Sequence, residues 1–279
     1  ISNNDKYNKF GGGGVYVGFN SVTVRQLKIY NNTITNNKLY KDNILYNNGT
    51  GINIQFYNTN ADTIIINDNK VIQNNASKSY IGGGIYLELA SNGVGTLSVS
   101  NNIVGFNDAS NGNGGGIYIS LNNYGKLNII NNRIFYNIAS LGGGIYIYWN
   151  QNNNNDCLIK GNIISSNYAS KQGGGLHMDA LIASNVVTKC DIVNTIIRNN
   201  KCDLVGGGLY SINGNVIISE NTKIIDNHVN VYGWDLFCYK STFTFNDNSI
   251  IQNNTNKDIF CNEFCHFDYR AEFQKINCK

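Results

Sequence analysis

A short glycine cluster followed by an aliphatic, strand-like segment recurs along the whole chain. The clusters are Gly11–Gly14, Gly49-Thr50-Gly51, Gly82–Gly84, Gly114–Gly116, Gly142–Gly144, Gly173–Gly175, Gly206–Gly208 and a degenerate copy at Gly233-Trp234-Asp235. They lie about 27–37 residues apart, a period that is typical of solenoids and repeat arrays. Because one unit of this length cannot bury its own apolar face, the repeat predicts a stack of units.

A second motif runs in phase with the glycine clusters: an Asn, an aliphatic residue, and another Asn five positions after the first. The pairs are Asn32 and Asn37, Asn43 and Asn48, Asn69 and Asn74, Asn102 and Asn107, Asn132 and Asn137, Asn162 and Asn167, Asn194 and Asn199, and Asn248 and Asn253. Asn221 and Asn227 fit with one residue inserted. Alternating segments such as Leu97-Ser98-Val99 lie between the motifs and indicate β-strands.

The two motifs together predict an all-β fold, a parallel β-solenoid of about eight or nine coils. We expect it to span residues 11–255, after an N-terminal lead-in segment at 1–10 and before a Cys-containing C-terminal cap or tail at 256–279. The complete absence of Pro suits a stack in which nearly every backbone N–H donates to a neighbouring coil.

Asn at coil corners predicts hydrogen-bonded ladders of stacked side-chain amides. We expect one ladder to contain Asn102, Asn132, Asn162 and Asn194. We expect a second ladder to contain Asn107, Asn137, Asn167 and Asn199.

The Gly-Gly-Gly-[Ile/Leu] motif with the following [Ile/Val/Leu]-x-x-Asn motif resembles the polymorphic outer-membrane protein repeat, usually GGA[ILV] with FxxN. Gly here replaces Ala, and the Phe position is taken by Val71, Val104, Ile134, Ile164, Ile196, Ile224 and Ile250. The resemblance covers about residues 11–255. It implies a right-handed parallel β-helix of the pectin-lyase-like kind, within a surface-displayed or secreted protein.

The strand after each glycine cluster predicts two outward-facing columns of side chains. The first column is Tyr16, Asn53, Tyr86, Tyr118, Tyr146, His177, Tyr210 and Phe237, and the second is Gly18, Gln55, Glu88, Ser120, Tyr148, Asp179, Ile212 and Tyr239. We expect a solvent-facing aromatic strip of Tyr86, Glu88, Tyr118, Tyr146, Tyr148, His177, Asp179 and Tyr210. Such a strip binds glycans by ring stacking, or it only stabilises the sheet by cross-strand contacts.

Catalysis on this face is the alternative function. Glycoside hydrolysis needs two carboxylates about 5–9.5 Å apart, whereas Glu88 and Asp179 are expected three coils, roughly 14 Å, apart. His177 with Asp179 is the remaining catalytic candidate pair, and no Arg or Lys joins it in these columns. The sequence therefore favours a non-catalytic structural or adhesive module over a polysaccharide lyase, a glycoside hydrolase or a pure glycan-binding module.

All seven cysteines lie in the second half of the chain: Cys157, Cys190, Cys202, Cys238, Cys261, Cys265 and Cys278. This clustering predicts disulfides in an oxidising compartment, with Cys157 and Cys190 paired between consecutive coils. Cys261, Cys265, His266 and Cys278 are a zinc-site alternative, but their spacing departs from the usual two close ligand pairs. We therefore expect no metal and no cofactor.

Asn31, Asn48, Asn75 and Asn253 begin N-x-[ST] sequons and are candidates for glycosylation. Only 14% of residues are charged and the formal net charge is +3, which argues against a nucleic-acid partner. No apolar run approaches the roughly 18 residues of a membrane span. The expected partners are other protein chains or glycans, and the expected location is the cell surface or the extracellular space.

Overall fold

The chain folds as a parallel β-solenoid, as predicted. A computed structural model describes residues 1–2, 4–6, 13–39, 49–76, 81–90, 95–122, 125–150, 156–180, 189–246, 248–252, 259–261, 265–269 and 277–278. Within these ranges all regular structure is β, and each strand pairs in parallel with the equivalent strand of the next repeat. The same residues contain no helix able to span a membrane.

The sheet that follows the glycine clusters, here called the ring sheet, contains ten strands. They are Val15–Asn20, Ile52–Tyr57, Ile85–Ala90, Ile117–Asn122, Ile145–Trp149, Leu176–Ala180, Leu209–Ile212, Leu236–Tyr239, Ile259–Cys261 and Asn277–Cys278. The cluster glycines fit the tight backbone before each strand. At Gly114 φ is +69°, and a Cβ on Gly116 would lie 2.6 Å from the Gly144 carbonyl oxygen, so a larger residue would collide with the next coil.

A second sheet, the long sheet, contains nine strands. They are Thr23–Tyr30, Asn60–Asn67, Thr96–Ser100, Lys126–Ile130, Asp156–Lys160, Lys189–Val193, Asn215–Ser219, Thr242–Phe245 and His266–Tyr269. Its strands alternate between buried and more exposed residues, as in Thr96–Ser100, so one face packs on the core.

The short sheet contains eight three-residue strands: Thr33–Thr35, Lys70–Ile72, Ile103–Gly105, Arg133–Phe135, Ile163–Ser165, Ile196–Arg198, Lys223–Ile225 and Ile250–Gln252. A minor five-stranded sheet follows it in five consecutive coils: Asp108–Asn113, Ile138–Leu141, Tyr168–Gln172, Lys201–Cys202 and His228–Val229. Asp5–Lys6 and Lys38–Leu39 form a separate two-stranded sheet. Strands beyond residue 255 pair within the ring and long sheets, so the C-terminal segment continues the stack.

One apolar core runs along the inside of the stack. In a single coil it receives Ile85 and Leu87 from the ring sheet, Leu97 and Val99 from the long sheet, and Val104 from the short sheet, all fully buried. Each such side chain contributes about 1.5–3 kcal/mol by leaving water. The repeat of aliphatic residues along the sequence is therefore the repeat of this core.

Two ladders of buried side-chain amides are present, and three of the four predicted members of each are confirmed. The first ladder contains Asn32, Asn69, Asn102, Asn132 and Asn162 and continues through Thr195 and Thr222. The second contains Asn4, Asn37, Asn74, Asn107, Asn137, Asn167, Asn200 and Asn227 and ends on Asp235. In both, an Asn Nδ2 donates to the Oδ1 of the next Asn.

Asn194 and Asn199 are not ladder residues, so the prediction was wrong at these two positions. Both are exposed and adopt positive φ, 46° and 53°, one residue before the ladder members Thr195 and Asn200. Asn suits both the left-handed corner and the ladder position. An Asn directly before the true ladder residue therefore shifts the predicted ladder position by one residue.

The same one-residue shift affects the predicted Phe-equivalent positions. Ile196 and Ile250 face outward, and Ile250 is 40% exposed. Their neighbours Ile197 and Ile251 pack in or against the core instead. The shift arises because Asn199 and Asn253 are each followed by a second Asn, and only the second one lies three residues after the inward-facing Ile.

Disulfides join consecutive coils in the C-terminal half. Cys157 and Cys190 form the predicted bridge with their Cα atoms 4.3 Å apart, because they are register partners on adjacent long-sheet strands. Cys238 bridges Cys265. These bonds indicate an oxidising, non-cytosolic environment.

The remaining cysteines divide between bonded and free. Cys261 is also disulfide-bonded, and its register partner on the last ring-sheet strand is Cys278. Cys202 is a free thiol inside the minor sheet, where burial raises its pKa to about 11. A buried, protonated thiol of this kind is chemically inert.

Candidate functional site

The predicted aromatic strip has the predicted register. Tyr16, at the start of its first column, is exposed, but the prediction that the column faces solvent from Tyr86 onwards was wrong. Tyr86, Tyr118, Tyr146, His177 and Tyr210 are register partners from coil to coil and are only 1–8% exposed. With Phe237 and Phe260 they form one stack whose neighbouring ring centroids are 4.6–5.3 Å apart. The column is therefore a second, buried core.

The cover of this column comes from the residues that precede the glycine clusters. Ile81 and Leu141 pack against the tyrosine rings, as does Tyr148 from the second column. Strand alternation in the sequence predicts which side chains point away from the main core. It does not predict that another segment of the coil covers those side chains.

His177 is held neutral within the stack. Its ring lies between Tyr146 and Tyr210, with centroid distances of 4.7 and 4.6 Å, and burial lowers its pKa to about 3. Burial also raises the pKa of Asp179, and the Tyr146 hydroxyl hydrogen-bonds to that carboxylate. The geometry gives His177 a structural role, since its ring has no open face for a substrate.

The carboxylates of the second column are separated from one another. Glu88 accepts hydrogen bonds from the hydroxyls of Tyr57 and Tyr86, both at 2.8 Å. The strand pairing places Asp179 three coils from Glu88, roughly 14 Å, which is too far for paired-carboxylate hydrolysis. In the part of the chain that the structure describes, no three His, Cys, Asp or Glu side chains are grouped as a metal site requires.

An exposed aromatic cluster lies instead at the corner that follows the short sheet. We call Phe106, Phe135, Tyr136 and Arg133 the aromatic corner. The rings of Phe106 and Tyr136 are 52% and 54% exposed and stack with centroids 5.1 Å apart. Phe135 meets Phe106 edge-on at 5.3 Å, and the Arg133 guanidinium lies 5.0 Å above the Phe135 ring.

The backbone at this corner is unfavourable for aromatic residues. Phe106 and Tyr136 have φ of 56° and 52°, in the left-handed region that bulky residues rarely occupy. The equivalent position in other coils carries small or polar residues: Asn36, Gln73, Ser166, Asn199 and Asp226. A left-handed conformation costs roughly 1–2 kcal/mol for an ordinary residue, and such strain is concentrated at functional sites.

The chain also makes room for this cluster. A Cβ on Gly105 would lie 2.8 Å from the Phe135 ring, so only Gly lets that ring lie across the neighbouring strand. The sequence analysis missed the corner. The available signal was the aromatic residue directly before a ladder Asn, in Phe106-Asn107 and Tyr136-Asn137, where other coils have polar residues.

The candidate glycosylation sites differ in accessibility. Asn31 is exposed at a corner with φ of 56°. Asn75 is half-buried and its backbone bridges Lys38 and Asp108. Asn48 and Asn253 lie outside the described residues, so of the four sequons Asn31 offers the most accessible side chain on a described segment.

Comparison with known proteins adds no family or relative. The chain matches no protein-family model, no curated protein and no solved structure. The resemblance to the polymorphic outer-membrane protein repeat is therefore carried by the two motifs alone and stays a prediction.

Proposed function

We propose that the chain is a non-catalytic adhesive module, a rigid segment of a secreted or cell-surface protein that binds an extracellular glycan at the aromatic corner. The observation that carries this proposal is the exposure of Phe106 and Tyr136 on a strained backbone. Both rings are exposed to solvent, and both residues adopt an unfavourable left-handed backbone. Contact with a ligand best explains this combination. Flat aromatic rings are suited to stacking on sugar faces.

The rest of the fold supports such a role. The amide ladders, the core and the buried ring stack all fix one coil against the next, so the corner is held rigidly before a ligand arrives. A preorganised site loses less entropy on binding. The disulfides Cys157–Cys190 and Cys238–Cys265 fit an extracellular setting.

The arrangement of titratable groups supports the non-catalytic part of the proposal. His177 is neutral and enclosed by rings, and Glu88 and Asp179 are too far apart to act on one glycosidic bond. The enzyme alternative needs a second acid or an accessible base near Asp179. On this face Glu88 lies three coils away, and His177 is enclosed between two rings.

The test is a glycan array followed by titration of the best ligands. The double variant Phe106→Ser and Tyr136→Ser should weaken binding by about tenfold or more. The matched control removes two exposed rings elsewhere, Tyr16 (48% exposed) and Tyr30 (64% exposed), and should bind like the parent protein.

Two results would overturn the proposal. One is equal binding by the double variant and the parent. The other is degradation of a polysaccharide that Asp179→Asn abolishes, which would establish the enzyme alternative.

A further inference from the structure

The short sheet presents a row of basic side chains beside the aromatic corner. We call Lys70, Arg133, Arg198 and Lys223 the basic stripe. All four side chains are exposed, and Arg133 belongs to both the stripe and the aromatic corner. The stripe and the rings therefore form one continuous surface on one side of the stack.

The outward columns of this sheet carry only one sign of charge. One column is Thr33, Lys70, Ile103, Arg133, Ile163, Ile196, Lys223 and Ile250, and the other is Thr35, Ile72, Gly105, Phe135, Ser165, Arg198 and Ile225. Neither column contains Asp or Glu. The flanking corner positions add Asp68 beside Lys70, and Glu220 and Asp226 beside Lys223. These acids lie towards the two ends, so the middle of the stripe is purely basic.

The cations of the stripe are not neutralised by ion pairs. Among the described residues the salt bridge present is Lys189–Asp191, on the long sheet. Arg133 instead lies over the ring of Phe135, which orients its guanidinium without cancelling its charge. An unpaired, oriented guanidinium is well suited to a carboxylate or a sulfate.

The spacing of the stripe follows the stack. Lys70 and Arg133 are two coils apart, Arg133 and Arg198 are two coils apart, and Lys223 lies one coil further. With about 4.8 Å per coil, the stripe is about 24 Å long and its first three cations recur every ~9.6 Å along the stack axis. That interval is comparable with the length of a disaccharide in an extended polysaccharide chain. Arg198 lies in the second outward column, two residues along the strand from the column of Lys70 and Arg133.

We infer that the ligand is an acidic linear polysaccharide, carrying uronate or sulfate groups, that lies along the stack axis. Its charged groups meet the basic stripe while one sugar face stacks on Phe106 or Tyr136. This inference rests on the proposed function, because it names the class of glycan that the same surface binds.

Other polyanions fit the surface less well. Four cations over about 24 Å neutralise few of the phosphates on a nucleic acid of that length, and the disulfides indicate an oxidising compartment. An anionic membrane attracts a broad cluster of basic residues, whereas these form a narrow line. Both partners are included as outcomes of the test.

The experiment compares five probes on the intact chain: heparin, polygalacturonate, neutral dextran, duplex DNA, and vesicles of phosphatidylserine with phosphatidylcholine. At least one acidic polysaccharide should bind about tenfold more tightly than dextran, with binding weakened by added salt. Arg133→Gln with Arg198→Gln should weaken that binding about fourfold to ninefold, at roughly twofold to threefold per surface cation.

The matched control is Lys126→Gln with Lys160→Gln, which removes two exposed charges from the long sheet and should change affinity by less than about twofold. If neutral and acidic glycans bind equally and only the Phe106→Ser and Tyr136→Ser variant loses binding, this inference fails while the proposed function stands. Tighter binding of DNA or vesicles than of any acidic glycan also overturns it. Absence of binding to every glycan overturns both proposals.

Discussion

Replacing Asn132 with Ala should remove one rung of the first amide ladder. The Asn132 Oδ1 accepts hydrogen bonds from the Asn102 backbone N–H at 2.9 Å and from its Nδ2 at 3.0 Å. The Asn132 Nδ2 donates to the Val99 carbonyl at 2.8 Å and to the Asn162 Oδ1 at 3.0 Å. The substitution deletes all four contacts inside a buried corner.

The groups left behind differ in how much they lose. The Asn102 side chain still donates to the Ile66 carbonyl, and the Asn162 Oδ1 still accepts from the residue 132 backbone. The Asn102 backbone N–H loses its acceptor, and the Val99 carbonyl loses a donor. At about 1–3 kcal/mol for each unsatisfied buried group, we expect the free energy of unfolding to fall by about 3 kcal/mol. This lowers Tm by roughly 6–12 °C for a chain of this size.

The assay is chemical and thermal unfolding, combined with hydrogen exchange at the Asn102 amide, which should lose its protection in the variant. Asn194→Gly is the control, because Asn194 is an exposed corner residue with positive φ that Gly accommodates; it should change stability by less than about 0.5 kcal/mol. Equal losses in the two variants would show that the ladder does not stabilise the stack.

Three further outcomes follow from the structure. His177→Phe should reduce the acid sensitivity of folding. The unfolded chain protonates near the ordinary His pKa whereas folded His177 does so only near 3, so stability falls as pH drops through this window, by about 2 kcal/mol between pH 7 and pH 5. Urea titrations at both pH values, compared with the parent, isolate this contribution from that of Asp179; identical pH slopes would refute it. Phe106→Asn should relieve backbone strain of about 1 kcal/mol and lose ring contacts of similar size, so Tm should barely change while glycan affinity drops; a large loss of Tm would assign the ring a structural role. Replacing both Cys157 and Cys190 with Ser should cost about 2–4 kcal/mol in non-reducing denaturant titrations, and most of the difference should vanish when parent and variant are both reduced.

The fold could be predicted from the sequence because every coil of a solenoid places the same residue types at the same positions. The glycine clusters, the alternating strands and the Asn pairs each recur with one period, and each has a direct physical role in the coil. The errors were confined to places where one residue type suits two adjacent positions. Asn194 and Asn199 occupy the left-handed corner, and the neighbouring Thr195 and Asn200 occupy the ladders.

The candidate site was harder to predict because exposure depends on the whole coil. The alternation of strand residues correctly separated Tyr118 and Tyr146 from the main core, but the cover by Leu141 and Ile81 comes from another segment. Phe106 and Tyr136 lie outside the strands, so the alternation of strand residues does not predict whether their side chains are exposed. Their exposure follows from the left-handed backbone of the corner, which no sequence repeat specifies.

A parallel solenoid divides its residues into columns, and the columns differ in how freely they vary. The core, ladder and glycine columns are fixed by contact with the next coil, as the 2.6 Å approach at Gly116 illustrates. Only outward and corner columns can change without breaking the stack, so departures from the repeat there are the most informative about function. Phe106 and Tyr136 depart from a polar corner column, and Arg133 lies in an acid-free outward column beside them. These departures fall in adjacent coils on one surface, which is the pattern expected when a ligand, and not folding, determines the residues.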